Sequence, residues 1–207
     1  MKKAFKIIIP FLLILAVIFS IGWYLFKFDP EFTRDFLLNQ ARMAEERGNH
    51  SLATWFYDLT YRQSDEDEGV AIELAEQYKS MGNYTKAEYT LSNAIADGGT
   101  AQLYIALCQT YAEQDKLLDA VTMLDNIADP QIKAQLDELR PAAPVATPES
   151  GYFSQYITVS ITSDDGTIYT DTTGEYPSTK NPPFSGEMTL PGGETHIYAL
   201  CVGENGL

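Results

Sequence analysis

A pattern of residues passes three times between Arg34 and Ala134, and this repeat constrains the fold more than any other feature of the chain. Glycine, alanine and larger apolar positions recur after 34 residues and then, in the third copy, after 33: Gly48 and Gly82; Ala53, Ala87 and Ala120; Tyr57, Leu91 and Leu124. Each copy holds two amphipathic runs separated by a polar turn, at 47–50, 81–84 and 114–117. Because equal helical units stack most simply on their neighbours, the sequence predicts three packed helix pairs.

Small residues also occupy matched places in the first run of each copy. Ala41, Ala75 and Cys108 are followed about one turn later by Ala44, Tyr78 and Tyr111. Residues 34–134 therefore resemble the tetratricopeptide repeat, a helix-turn-helix of 34 residues. The resemblance implies a right-handed α-solenoid that binds a protein or peptide and performs no catalysis. Asp115 stands where the first two copies have glycine, so we expect the third turn to be looser.

In tetratricopeptide proteins the first helix of each pair lines a concave groove, and helical phase suggests which residues would lie there. The candidates are Leu38, Arg42, Glu45, Glu46, Ile72, Glu73, Glu76, Lys79, Ile105, Gln109 and Glu113. The carboxylates outnumber the cations, which favours a partner with basic or neutral polar groups. The alternative is a merely solvated helix face, since soluble helices normally turn their charges outward.

The charge distribution excludes one class of partner. Four of the 14 basic residues lie within residues 1–27, so residues 28–207 carry 10 basic against 29 acidic groups. Such a surface repels phosphates, and nucleic acid binding is not expected.

The amino end predicts a membrane anchor. Residues 7–26 contain 20 uncharged residues, 14 of them Ile, Leu, Val or Phe, and a helix of this length spans a bilayer core of about 30 Å. Three lysines in residues 1–6 predict a cytoplasmic basic tail, and hence a single-pass plasma-membrane protein whose remaining domains are extracytoplasmic. A cleaved signal peptide is the alternative.

The helical region is expected to cover residues 30–140. Asp29-Pro30 and Asp129-Pro130 are typical helix starts, and the helix from Pro130 should cap the solenoid with Ile132, Leu136 and Leu139 on one face. Three prolines in residues 141–148 predict an extended linker. Alternating apolar residues then indicate a strand around 156–162, and Asp164-Asp165-Gly166 predicts a hairpin whose returning strand is 167–170.

The segment 149–207 shows a second resemblance. The resemblance depends on the order of these residues: Pro148 to Tyr152, Ile168-Tyr169-Thr170, Gly174, Pro177 and Ile197-Tyr198-Ala199. The segment is similar to the chitobiase/β-hexosaminidase C-terminal domain, a fibronectin-III-like β-sandwich. Thr173 stands where that family usually has aspartate. A sandwich of this type has about 100 residues, so we expect the domain to be incomplete. The predicted fold class is therefore a multidomain α plus β chain: a transmembrane helix, an α-solenoid of three helix pairs with a capping helix, and a small β-sandwich.

The residues that could carry chemistry form no recognisable catalytic set. His50 and His196 lack partners at useful spacing, Cys108 and Cys201 are expected to be buried apolar side chains, and the acidic run 64–68 is expected to start a helix in preference to binding calcium. No enzyme activity, metal or cofactor is expected.

Three functions remain open at this point. The first is a membrane-anchored scaffold that binds a protein or peptide through its repeats. The second is a surface protein that binds cell-wall glycan through its β-sandwich, which a row of exposed aromatics would favour; the candidates are Tyr152, Phe153, Tyr156, Tyr169 and Tyr176. The third is the stalk of a longer carbohydrate-active enzyme at the cell surface.

Overall fold

The computed structural model describes residues 17, 19–20, 22–24, 29–63 and 67–207, and from Asp29 onward these form an α plus β structure. The helices are α1 (Pro30–Glu46), α2 (His50–Gln63), α3 (Glu68–Ser80), α4 (Tyr84–Gly98), α5 (Ala101–Glu113), α6 (Leu117–Asp125) and α7 (Pro130–Leu139). The strands are β1 (Val145–Thr147), β2 (Thr158–Thr162), β3 (Thr167–Asp171), β4 (Glu187–Thr189) and β5 (Tyr198–Val202).

The transmembrane helix predicted over residues 7–26 is not supported. Residues 1–16, 18, 21 and 25–28 lie outside the described residues, and with them most of this segment and the whole basic tail. Within the described ranges no helix is both long and apolar enough to cross a bilayer, and the longest, α1, has 17 residues and contains charges. A span needs about 20 mostly apolar residues. The predicted fold class is therefore wrong in this part, as is the plasma-membrane localisation that depends on it.

The chain divides into two compact units, and the first ends at Asn83. It contains α1, α2 and α3. The α1 helix begins as predicted, with Pro30 in its first turn and the Asp29 carboxylate accepting the Phe32 N–H at 2.9 Å. Asp67 caps α3 in the same way by accepting the Val70 N–H at 3.2 Å, while residues 64–66 of the acidic run lie outside the described residues. Carboxylates at these positions satisfy backbone N–H groups that have no partner inside the helix.

Helices α1 and α3 run parallel, as the side chains that pair at both of their ends show. Near the start of α1, Arg34 forms an ion pair of 2.5 Å with Asp67. Near its end, Glu45 accepts a hydrogen bond from Gln77 at 2.7 Å. The core between these helices and α2 is built mainly from alanines and a few large residues: Ala41, Ala44, Ala53, Tyr57, Val70 and Leu74. Ala41 and Ala53 have no exposed surface, as expected of small residues where helices approach closely.

The turns that join the paired helices have one conformation, contrary to the expectation for the third. Gly48, Gly82 and Asp115 have φ values of 70°, 71° and 65°. In each turn this residue donates its N–H to the carbonyl three positions back, and the next residue donates to the carbonyl five positions back. These are the two bonds of a Schellman motif, which closes a helix C-terminus. The turn at Asp115 is therefore not looser, because aspartate tolerates the left-handed conformation better than most residues.

The second unit, Tyr84–Leu207, contains the remaining helices and all five strands. Its apolar cluster joins α5, α6 and α7 through Cys108, Ala120, Leu124, Ile127 and Leu136, and it includes Leu207. Asp129 caps α7 as predicted, accepting from the Gln131 and Ile132 N–H groups. On α7 itself Leu136 is buried and Ile132 half-buried, but Leu139 is 48% exposed, so the predicted apolar face is only two residues wide.

The strands form two antiparallel sheets, with orders β1-β2-β4 and β3-β5. The predicted hairpin of β2 with β3 is therefore wrong: β2 already has a partner on each edge, and β3 pairs with β5 from Thr167 opposite Val202 to Asp171 opposite Tyr198. Part of the segment predicted as a linker forms β1, whose Val145 pairs with Thr162. Gly166 makes the crossing between sheets possible, since a Cβ there would lie 2.7 Å from the Val202 carbonyl oxygen.

Candidate protein-binding face

A buried polar network joins the three helices of the first unit. Glu45 uses both carboxylate oxygens: Oε2 accepts from the Tyr57 hydroxyl at 3.0 Å and Oε1 accepts from Gln77 Nε2 at 2.7 Å. The other amide atom of Gln77, Oε1, lies 3.1 Å from His50 Nδ1. Because Oε1 can only accept, His50 Nδ1 carries the proton and donates it. Side chains from the end of α1, the start and middle of α2, and the end of α3 are thereby held in one arrangement.

The burial of this network explains why each bond is needed. Tyr57 has no exposed surface and Gln77 only 2%. A buried polar atom without a partner costs about 1–3 kcal/mol, so the Tyr57 hydroxyl and the Gln77 amide nitrogen require Glu45 as their acceptor, and the Gln77 amide oxygen requires His50 as its donor. Burial and the bond to Glu45 raise the pKa of Tyr57. The network positions Glu45 at the edge of the candidate surface.

Glu73 lies on α3 one turn before Gln77 and is half-buried. Its burial raises the pKa of the Glu73 carboxyl above the ordinary value, the negative charge of Glu45 raises it further, and Arg42 partly offsets both. The negative charges of Glu45 on α1 and Glu73 on α3 thus oppose each other, and the positive charge of Arg42 offsets only part of this effect. The arrangement favours the arrival of a further positive charge.

We predict that Glu73→Gln raises the free energy of unfolding at pH 7. A carboxyl whose pKa is raised by folding lowers stability at pH values above its folded pKa, and this cost disappears below the unfolded pKa, near 4.5. The gain should therefore vanish at about pH 4. Urea titrations of both proteins at the two pH values measure it. Glu149→Gln, in an exposed loop, is the control and should change neither value; a gain from Glu73→Gln that is equal at both pH values would contradict the electrostatic origin.

The other candidates in the first unit differ in how accessible they are. Leu38 packs against the core cluster and Ile72 is half-buried, while Arg42, Glu46 and Glu76 are exposed. Lys79 is buried, with 7% of its side chain exposed, and its ammonium lies 2.8 Å from Glu76 Oε1. It is therefore not available as the cation of a binding surface. The accessible charges on what we call the α1/α3 face are Arg42, Glu45, Glu46, Glu73 and Glu76.

The remaining candidates lie on α5, in the second unit. Ile105 packs beside the apolar cluster of that unit, and Glu113 is exposed. Gln109 already has a partner within the chain, because its Nε2 donates to the Asn205 carbonyl oxygen at 3.2 Å. These residues therefore belong to the second unit, and Gln109 and Ile105 already have contacts within it.

The turn between α5 and α6 contacts the strand region through Asp115. Its Oδ2 accepts the Ser178 hydroxyl at 2.6 Å, its Oδ1 accepts the Thr179 N–H at 3.0 Å, and the Lys180 ammonium lies 3.7 Å away. The Ser178 bond is the largest of the effects that hold the pKa of Asp115 below its ordinary value. The residue that breaks the repeat pattern thus joins the turn between α5 and α6 to the segment between β3 and β4.

Four of the five aromatic residues considered for glycan binding are exposed. Tyr152 and Tyr156 are 108% and 79% exposed, and Phe153 and Tyr176 are 45% and 42% exposed, whereas Tyr169 is half-buried in β3. Tyr152, Phe153 and Tyr156 precede β2 in a segment without regular structure. Their rings present apolar area to solvent outside both sheets.

Several residues of the network were not predicted as functional. Gln77 is not among the sequence-based candidates, Tyr57 serves there only as a position of the repeat, and the partner of His50 lies 27 residues away, beyond any spacing that the sequence suggests. One sequence feature could have identified Gln77: it is a polar residue at a position where the periodicity of an amphipathic helix predicts a buried side chain. Among the described residues no group of three or more His, Cys, Asp or Glu side chains is placed to hold a metal ion.

Comparison with known proteins gives no family for this chain. No model of a known protein family matches it, and no curated protein is significantly similar to it.

Proposed function

We propose that this chain is a non-catalytic scaffold that binds a protein or peptide partner through the α1/α3 face of its first unit. The partner carries basic or neutral polar groups. The observation that carries the proposal is Glu73, a half-buried carboxyl whose pKa is raised by its burial and by the negative charge of Glu45. Groups that oppose stability are characteristic of functional surfaces, where the missing interaction is supplied by a ligand.

The architecture of the helices supports a tetratricopeptide-like scaffold. The parallel α1 and α3 helices and the turn conformation common to Gly48, Gly82 and Asp115 agree with the repeat. The strand orders support an immunoglobulin-type accessory module, because β1-β2-β4 and β3-β5 correspond to strands A-B-E and C-F of such sandwiches. In this proposal the strands support the helices and the first unit provides recognition.

Fluorescence anisotropy with three labelled peptides of equal length tests the proposal: one rich in lysine, one in serine and glutamine, and one in glutamate. We expect binding to weaken in that order, and added salt to weaken the lysine peptide most. The double variant Glu73→Gln, Glu76→Gln should bind the lysine peptide about tenfold more weakly.

The control removes the same charge elsewhere. The double variant Glu149→Gln, Glu187→Gln changes two exposed glutamates of the strand region. If it weakens the lysine peptide as much as the first variant does, then the attraction comes from net charge alone and the α1/α3 face is not the site.

Glycan binding is a second candidate, favoured by the exposed Tyr152, Phe153 and Tyr156. Aromatic faces stack on the apolar sides of sugar rings, and a contiguous patch of exposed rings marks an interaction surface. Polysaccharide pull-down with the wild-type chain and a Tyr152→Ala, Tyr156→Ala variant separates this function from the first, since neither residue belongs to the α1/α3 face.

A further inference from the structure

The segment Gly203–Leu207 is folded into a compact turn by its own hydrogen bonds. The Gly206 N–H donates to the Gly203 carbonyl at 3.0 Å, and the Gly203 N–H donates to the Leu207 carbonyl at 2.8 Å. The Asn205 side chain closes the turn from inside, because its Oδ1 accepts the Leu207 N–H at 3.1 Å. The turn therefore presents its apolar residue, Leu207, in a defined position.

This turn is held on α5 and α7 by contacts of the kind found in a peptide complex. Leu207 is only 8% exposed and belongs to the same apolar cluster as Cys108 and Leu136. Gln109 donates to the Asn205 carbonyl at 3.2 Å, and Asn205 Nδ2 donates to the Leu139 carbonyl at 2.9 Å, at the end of α7. One buried apolar anchor is thus flanked by two polar contacts that fix the direction of the backbone.

The contact of the turn with α5 also requires a particular backbone conformation at Gly206. Gly206 has φ of +81°, and a Cβ there would lie 3.1 Å from Gln109 Cγ. A side chain at this position would be strained in its backbone and would press on the helix at once. The surface therefore favours an asparagine, a glycine and a large apolar residue in succession.

We infer that the surface formed by α5 and the end of α7 is a recognition site for a turn of the form Asn-Gly-Leu, and that Gly203–Leu207 is its resident ligand. Because the segment is tethered, it faces the site at an effective concentration of about millimolar. A segment of the same shape from another protein, or from a second copy of this chain, can compete for the site. This site shares no residue with the α1/α3 face, and the two proposals are tested independently.

The thiol of Cys108 reports occupancy, because it is 1% exposed and lies in the cluster that receives Leu207. Burial raises the pKa of this thiol to about 12, so it reacts only when the site opens. The measurement uses the full chain carrying Cys201→Ser, which leaves one cysteine. Leu207→Ala and, independently, Gly206→Ala should raise the rate of modification of Cys108 by about tenfold or more. Leu118→Ala, an exposed leucine on α6, is the matched control and should have no effect.

The decisive experiment adds the missing segment to the variant protein as a separate peptide. A synthetic peptide with the sequence of residues 202–207 should slow modification of the Leu207→Ala protein saturably, whereas the same peptide with alanine in place of its leucine should not. Far-UV circular dichroism checks that the helices of each variant are intact; a variant that has lost helix is replaced by the milder Asn205→Ala, for which the same faster modification is expected. Unchanged Cys108 rates in the folded variants, or a peptide without effect, would overturn the inference.

Discussion

Replacing Tyr57 by alanine is expected to lower the free energy of unfolding by about 3–5 kcal/mol, the range typical of large-to-small changes of buried aromatics. Tyr57 has no exposed surface and lies in the core cluster between α1, α2 and α3. Its loss removes the aromatic packing and also the donor to Glu45 Oε2. Urea unfolding followed by far-UV circular dichroism measures the change, and hydrogen exchange of the α1–α3 amides locates it.

Tyr57→Phe separates the packing from the hydrogen bond. It keeps the ring and removes only the hydroxyl, so we expect a loss of about 1 kcal/mol. The bond from Gln77 to the other oxygen of Glu45 should persist. If the two substitutions lower the free energy of unfolding equally, the packing of the Tyr57 ring contributes little to the stability of the first unit, contrary to this prediction.

The second large effect is expected at Asp115. Asp115→Val should cost about 3–5 kcal/mol, because a β-branched residue is strained at φ of 65° and the bonds to Ser178 and Thr179 are lost together. Asp115→Gly also loses those bonds but relieves the backbone, so its cost should be about 1 kcal/mol. Asp115→Asn keeps an acceptor and the tolerated conformation, and it should be the mildest of the three. Thermal unfolding of the full chain, read at helix and strand wavelengths, ranks them.

The pH dependence of the free energy of unfolding tests the role of the Asp115 carboxylate independently. Folding lowers the pKa of Asp115, so its ionised form stabilises the protein at pH values above the ordinary value of 3.8, and this contribution is lost as the pH falls through the lower, folded pKa. The difference in stability between wild type and Asp115→Asn should therefore shrink below about pH 4. A difference that stays constant down to pH 2 would mean that the carboxylate charge is not involved.

The helical part could be predicted closely, because its signals are local. Asp29-Pro30 and Asp129-Pro130 start helices, the glycines at 48 and 82 end them, and the alanines at 41, 53 and 87 mark close contacts; all of these follow from residue type and spacing. The buried positions of β2, Val159 and Ile161, were equally readable from alternation. In each case the signal is the type of one residue and its spacing from others nearby in the sequence.

The failed predictions about β2 and about Asp115 share a different cause. The pairing of β2 depends on which strands reach its two edges, and the turn at 164–166 cannot indicate that β1 and β4 arrive there first. The same holds for Asp115, whose partners lie 63 and 64 residues further along the chain. The transmembrane helix is a separate case: it was predicted from an uncharged apolar run and the lysines before it, most of that run lies outside the described residues, and no described helix is long and apolar enough to cross a membrane.

By itself, the sequence determined the extent of the helical region, two of its helix starts, its three repeat turns, the close packing of small residues and the excess of negative charge, since these depend on local spacing and composition. Only the tertiary structure decided that Lys79 is buried against Glu76, that Glu45 bridges Tyr57 and Gln77, and that Gln109 is engaged by the backbone at Asn205. Helical periodicity predicts the face of the helix on which a side chain lies, but it does not predict which residue that side chain contacts. The partner of each polar group is set by contacts between residues distant in the chain, and those contacts exist only once the helices and strands have packed.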